Sequence, residues 1–268
     1  MDDRNDEILR QYDLKISNTY RARGALLLDT NYGYKLFKSF EGSTTRLAFE
    51  NRVKEHLIEK DYRNVDLYVS NINGELITED NSGGKYIIKN WFQGDECNLR
   101  ENKDINIVTK NLATLHNLMQ QVDLSEEQLK FNTFHSLSEV YEKHNRELKR
   151  VRGYIKDKRQ KNEFEICFLN CYEEFYAQGQ QAVDVLLESD YENILNKSIE
   201  QKIVGHGNYT YHNVLVLKEG IATTNFDKAC LGVQVSDLYL FIRKVMEKND
   251  WDKKIGCSIL EEYNKEKV

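Results

Sequence analysis

Residues 203–237 read IVGHGNYTYHNVLVLKEGIATTNFDKACLGVQVSD and gather imidazole, amide and carboxylate side chains into one short stretch. An apolar lead-in, Ile203-Val204, runs into the polar loop His206-Gly207-Asn208-Tyr209-Thr210-Tyr211-His212-Asn213. Val214 to Leu217, a Lys218-Glu219-Gly220 turn and Ile221 to Phe226 then read as a β-hairpin. Polar residues held between apolar strands are where a rigid scaffold presents a site. The amides of Asn208, Asn213 and Asn225 can donate and accept hydrogen bonds, but an amide takes up no proton as a carboxylate does and carries no charge. Asp227 lies two residues after Asn225, so an extended backbone points both side chains to one face. His116 and His212 have no third ligand at a spacing that suits zinc, and read as hydrogen-bonded polar or core histidines.

The elements that must position this stretch change character along the chain. Ala22 to Thr30 and Gly33 to Phe40 are apolar-rich runs separated by Asn31-Tyr32-Gly33, the chemistry of a tight hairpin. Ser43 to Lys60 places Leu47, Phe49, Glu50, Val53 and Leu57 at helical spacing behind a Ser/Thr cap. Short strands follow around Asp66 to Ile72 and Lys85 to Phe92, with Asn73-Gly74 and Gly83-Gly84 as breakers. Beyond Gly94 the pattern turns helical: Asp104 to Leu118 carries Ile105, Val108, Leu112, Leu115 and Leu118 on one stripe, and Phe134 to Tyr154 and Asn162 to Leu187 are long helical candidates. This composition shift divides the chain into residues 1–94, a sheet with one helix, and residues 95–268, mainly helices.

Composition limits the function classes. The 268 residues carry 38 Lys+Arg against 44 Asp+Glu, a net charge of −6, which argues against a general nucleic-acid binder. No 18-residue apolar run is present, and the acidic, polar start MDDRNDEILRQYDL is unlike an export signal, so a soluble protein with no membrane partner is expected. The five cysteines are scattered, without disulfide or zinc spacing, and read as reduced thiols. Proline is absent, which leaves the turns to Gly, Asn and Asp. Against the acidic background, Arg146 to Lys161 holds eight basic and two acidic residues. It reads as a solvated helix face or as a surface for an anionic partner.

The spacing His206-x-Asn208-x-x-x-x-Asn213 followed by Asn225-Phe226-Asp227 resembles the catalytic and metal loops of kinase-like phosphotransferases, H-x-D-x-x-x-x-N and then D-F-x. Gly24 to Lys38 is similar to the first N-lobe hairpin of that fold, with Lys38 as the nucleotide lysine and Glu50 as its helix partner, Glu55 being the rival carboxylate. Asn90-Trp91-Phe92 falls at the interlobe hinge, where Trp91 could stack on adenine, and Ser236-Asp237-Leu238 matches the downstream Asp-Leu. The short His-Gly form of the loop and Asn111 to His116 point to the aminoglycoside/choline phosphotransferase superfamily. Glu147 to Arg152, Asn162 to Glu165 and Asp237 to Lys244 resemble its spore-coat CotS-type family.

The resemblance implies a two-lobed α+β fold, ATP and Mg²⁺ as cofactors, Asn208 at the catalytic-base position, His206 and Asp237 as loop supports, Lys38, Glu50 and Trp91 as nucleotide-binding residues, and Asn213, Asn225 and Asp227 at the metal. Two departures weigh against full activity. Asn208 and Asn225 stand where the pattern has aspartates, which removes the proton acceptor and an anionic metal ligand from one reaction. The Gly-rich phosphate loop is also missing. The resulting expectation is a spore-coat-associated kinase-like protein, made in the mother-cell cytoplasm, that binds nucleotide and coat proteins with weak or no catalysis. An active ATP-dependent small-molecule kinase acting on a hydroxyl and a purely structural coat component are the alternatives. The resemblance also implies a C-terminal lobe that continues beyond Val268 in the family.

Overall fold

The computed structural model describes residues 3–22, 24–129 and 136–267. Helix α1 (Asp3–Leu9) precedes strands β1 (Ile16–Ala22), β2 (Ala25–Thr30) and β3 (Gly33–Ser39); α2 (Thr44–Glu59) follows, then β4 (Tyr68–Val69), β5 (Thr78–Glu79) and β6 (Lys85–Asn90). The antiparallel sheet runs β1-β2-β3-β6-β4, with β5 on the end of β6. The β2–β3 hairpin forms at Asn31-Tyr32-Gly33: Thr30 pairs with Gly33, the Thr30 hydroxyl donates to the Gly33 carbonyl at 2.6 Å, and Gly33 takes φ +80°. Arg23, within the first of the two predicted runs, lies outside the described residues.

The two faces of β3 and β6 do different work. Phe37 and Ile88 pack with Leu28 under Ile8, Leu9 and Tyr12, so α1 covers that face. On the other face Ile87 packs with Leu47 of α2 and Tyr68 of β4. Lys38 stands opposite Ile87 in the strand register and Lys89 opposite Leu36, so the pleat sends both lysines toward α2. Lys35, one pleat away from Leu36, donates instead to the Tyr32 carbonyl at 2.6 Å.

Strand β7 (Asp95–Glu96) leads to α3 (Asn102–Leu118), whose buried stripe Ile105, Val108, Leu112 and Leu115 is the one expected from periodicity, and to the short α4 (Glu126–Leu129). Residues Thr133–Gln201 form a compact unit of their own. In it α5 (Leu137–Asp157) and α6 (Glu163–Glu188) pack as a hairpin, followed by α7 (Tyr191–Glu200). Asn162 caps α6, accepting from Glu165 N at 2.9 Å while its own N–H donates to the Glu165 carboxylate at 3.0 Å. The helices approach closely at Gly179, where a Cβ would lie 2.2 Å from Asn145 Oδ1. Phe134, at the start of the predicted α5, lies outside the described residues.

The other unit, Met1–Asn132 with Lys202–Val268, is completed by β8 (Val204–Gly205), the hairpin β9 (Val214–Val216) and β10 (Ile221–Thr223), β11 (Cys230–Leu231), α8 (Val235–Lys248) and α9 (Lys253–Glu266). β7 extends this hairpin, β8 pairs with β11, and α9 packs on α3. Among the described residues no helix is long and apolar enough to cross a membrane, and all five cysteines are free.

Candidate functional site

The loop between β8 and β9 is held from behind by one carboxylate. Asp237, on the first turn of α8, accepts from His206 N at 2.6 Å and from Gly207 N at 2.8 Å. His116 of α3 steers the same carboxylate: its Nε2–H donates to Asp237 Oδ2 at 3.3 Å, and its Nδ1 accepts from the Tyr263 hydroxyl at 2.7 Å. His206 donates from Nε2 to the Thr224 carbonyl at 3.1 Å and accepts from Asn208 N at Nδ1, a pattern that fixes a neutral imidazole. Burial pushes both imidazoles below the ordinary histidine range, against the pull of Asp237. Gly207 cannot be replaced cheaply: its φ is +75°, and a Cβ there would lie 2.0 Å from the Lys228 carbonyl oxygen.

Asn111 of α3 secures the next residue. Its amide donates to the Tyr209 hydroxyl at 3.0 Å and to Thr223 Oγ1 at 3.1 Å, while the Tyr209 hydroxyl donates to the Val108 carbonyl. With Tyr209 fully buried, the loop backbone has little freedom and Asn208 is carried to the mouth of a cavity of about 470 Å³. Lys38, Glu50, Asn208, Asn213, Asn225 and Asp227 all line it. Trp91 is placed elsewhere: it follows β6, half-buried, with its N–H on the Tyr34 carbonyl, and does not line this cavity.

Inside the cavity the amides are spent on each other. Asn225 Nδ2 donates to Asn213 Oδ1 at 2.9 Å, and Asn213 Nδ2 donates to the Asn208 carbonyl at 2.9 Å. Asn225 sits in the left-handed region at φ 60°, ψ 63°, which asparagine tolerates better than most residues, and its N–H donates to Asp66 Oδ2 at 3.0 Å. Asp227 belongs to a 3₁₀ turn, Phe226–Lys228, and lies on the cavity wall with Lys38.

The Lys38–Glu50 pair expected from the sequence is not formed, because Glu50 is fully engaged by other groups. Lys54 and Lys89 both donate to Glu50 Oε1, the latter at 3.0 Å, and the Tyr68 hydroxyl donates to Oε2 at 2.8 Å. The same two ammonium groups lie 2.9 and 3.1 Å from the two Asp66 carboxylate oxygens. This quartet of two cations and two anions is neutral and almost wholly buried, with Glu50 and Lys89 on the cavity wall. Burial alone would raise the carboxyls of Glu50 and Asp66, but the two lysines outweigh it and hold both below the usual range. Burial alone would lower Lys89, which Asp66 and Glu50 instead hold well above its ordinary value. Among the described residues the Lys38 ammonium has no ion pair or hydrogen bond; burial, with Lys89 close by, lowers it.

Lys54, Asp66, Lys89 and Arg46 were not singled out in the sequence. Lys54 was visible as the i+4 partner of Glu50 on a helix, but the other three converge only through tertiary packing. Arg46, in the first turn of α2, donates from Nε and Nη2 to the Asp227 carbonyl at 3.1 and 2.9 Å and also to the Ala229 carbonyl, so it brings a guanidinium beside Asp227 and ties α2 to the loop.

Mg²⁺ demands hard, preferably anionic oxygens in near-octahedral order. Asp227 is the single carboxylate of the expected metal set, and Asn213 Oδ1 is occupied by the Asn225 amide. Among the described residues no group of three His, Cys, Asp or Glu side chains is placed to hold a metal ion. The donor set present does not fit Mg²⁺.

Residues 5–268 match the family model described as "Spore coat putative kinase YutH". The chain belongs to this spore-coat kinase family. Solved structures share its fold at low identity. An aminoglycoside phosphotransferase from Alicyclobacillus acidocaldarius superposes with a TM-score of 0.80 at 14% identity, covering 97% of this chain and 76% of that one. Spectinomycin phosphotransferase APH(9)-Ia, in an AMP-bound complex, gives 0.63 at 17% identity over 96% and 78%. An ethanolamine kinase from Plasmodium vivax gives 0.54 at 15% identity over 97% and 69%. Curated proteins yield no sequence match. The fold is therefore kinase-like, an antiparallel-sheet lobe followed by a mainly helical one.

Proposed function

We propose that this spore-coat family member binds a nucleotide, with ATP or ADP as the natural candidates, and transfers its phosphate poorly or not at all. In this reading residues 1–94 are the sheet lobe and residues 95–268 the helical lobe, and the nucleotide phosphates lie beside Lys38. The observation that carries it is the wall of the cavity: Lys38 lines it together with Asn208, Asn213 and Asn225, so the cation for phosphate is kept while the base position holds an amide. Nucleotide binding agrees with the AMP that the spectinomycin phosphotransferase complex contains. His206 and Asp237 act as loop supports and touch no reacting atom. Coat association, and with it a path from mother-cell cytoplasm to coat, rests on family membership.

A live kinase is the second reading, favoured by one observation: the Asp227 carboxylate shares the cavity with Lys38. As for the basic stretch 146–161, Arg146 pairs with Glu142, Arg152 with Glu173 and Lys158 with Glu165, while Lys161 donates to the Lys156 and Lys158 carbonyls. Half of its cations thus already have partners, which favours the solvated face over a dedicated anion surface. Calorimetric titration with ADP and ATP tests the nucleotide reading. Saturable heat with an upward melting shift of roughly 2.7 kcal/mol equivalent at 100 times Kd is expected, and no heat at millimolar nucleotide would overturn it.

A further inference from the structure

The charges around the cavity do not balance as a metal site requires. Lys38, Arg46 and Lys89 line it as cations, Glu50 and Asp227 as anions. Lys89 and Glu50 are consumed by the neutral quartet with Lys54 and Asp66. What faces the open space is therefore the ammonium of Lys38, unpaired among the described residues, and the guanidinium of Arg46, against the single carboxylate of Asp227. The amides of Asn213 and Asn225 bond each other and add no negative charge.

A divalent ion in a phosphate site neutralises phosphate charge and is held to the protein by carboxylates. With one carboxylate there is little to hold it, and the phosphate charge is left to the cations of the protein. A half-buried ammonium without a partner gains directly from an entering anion, through charge-assisted hydrogen bonds to phosphate oxygens. Burial, with Lys89 close by, lowers the Lys38 ammonium against the pull of Glu50, Asp227 and Asp66.

We infer that this site takes the di- or triphosphate of a nucleotide without a divalent cation, Lys38 serving as the phosphate-binding cation. The inference rests on the nucleotide reading above, and one titration set separates the two. The full chain is titrated with adenosine and with ADP, in EDTA and in millimolar Mg²⁺. ADP should bind in EDTA within about threefold of its affinity in Mg²⁺. Lys38→Met should weaken ADP by about tenfold to a hundredfold while leaving adenosine affinity unchanged, and Lys38→Arg should keep most of the binding. Asn225→Asp, which restores a second carboxylate, should make ADP affinity rise with Mg²⁺. ADP binding that requires Mg²⁺ in the wild-type chain, or that survives Lys38→Met, overturns the inference and leaves the nucleotide reading intact. No binding of adenosine or ADP in either buffer overturns the nucleotide reading and this inference with it.

Discussion

Replacing Lys89 by methionine removes one of two ammonium groups that face Glu50 and Asp66, in a cluster whose four side chains are each at most 4% exposed. The quartet goes from neutral to a net −1 with little water to screen it. Breaking a buried ion pair by removing one partner costs about 3–5 kcal/mol, because the remaining charge is left uncompensated. At about 2–4 °C per kcal/mol for a chain of this size, the melting temperature should drop by about 6–20 °C. Lys38→Met is the control: it deletes a cation with no partner among the described residues, so its cost should stay below about 1 kcal/mol. A Lys89→Met/Asp66→Asn double variant restores neutrality around Lys54 and Glu50, and should be less destabilised than the sum of its parts. Circular dichroism melts of the wild type, Lys38→Met, Lys89→Met, Asp66→Asn and the double variant decide the matter. Equal losses for Lys38→Met and Lys89→Met would refute the reasoning, since Lys38 would then be the cation that Glu50 depends on.

Three further outcomes can be checked on the same material. His116 and His206 are held neutral by burial, so the unfolded chain binds protons below its ordinary pKa of 6.5 that the folded chain refuses; stability should be full above that pH and fall below it by up to ~1.4 kcal/mol per pH unit for each imidazole. A melting temperature that stays flat between pH 7.5 and about 5.5 would contradict this linkage. Gly207→Ala forces a methyl group toward the Lys228 carbonyl and should cost about 2–4 kcal/mol, seen as a shifted urea midpoint; wild-type stability would show the loop is free to move. Asp237→Ala strands the buried N–H of His206 and the N–H of Gly207, and should destabilise by about 2–5 kcal/mol with loss of nucleotide binding; a binding-competent variant of unchanged stability would remove Asp237 from its supporting role.

Much of the fold was legible because its signals are local. The Asn31-Tyr32-Gly33 turn fixes a hairpin by its own chemistry, and α3 shows its buried stripe as a plain 3.6-residue period. β1 escaped notice because six of its seven residues are exposed, which leaves no alternation to read. His206 and Asp237 were singled out through the resemblance, and a hydrogen bond from His206 N to the Asp237 carboxylate joins them. The partner of Glu50 was not singled out. Lys89 sits in KYIIKNWF as an ordinary strand lysine, and only the β3–β6 register together with the placement of α2 turns it inward to meet Glu50 and Asp66. The mutual bond of Asn213 and Asn225 likewise depends on the path of the backbone between β10 and the following 3₁₀ turn, where Asn225 adopts its left-handed conformation.

A nucleotide that enters this cavity should keep its γ-phosphate. The measurement that tests it most directly follows phosphate release and self-phosphorylation from γ-labelled ATP by the wild-type chain, with Mg²⁺ present and nucleotide occupancy established in the same sample by titration. Saturated binding with no release above the rate in buffer is the expected result, because the base position holds Asn208 and the remaining carboxylate, Asp227, stands alone. Turnover near about 1 s⁻¹, the lower end of ordinary kinase rates, would contradict it and would place Asp227 in the catalytic role.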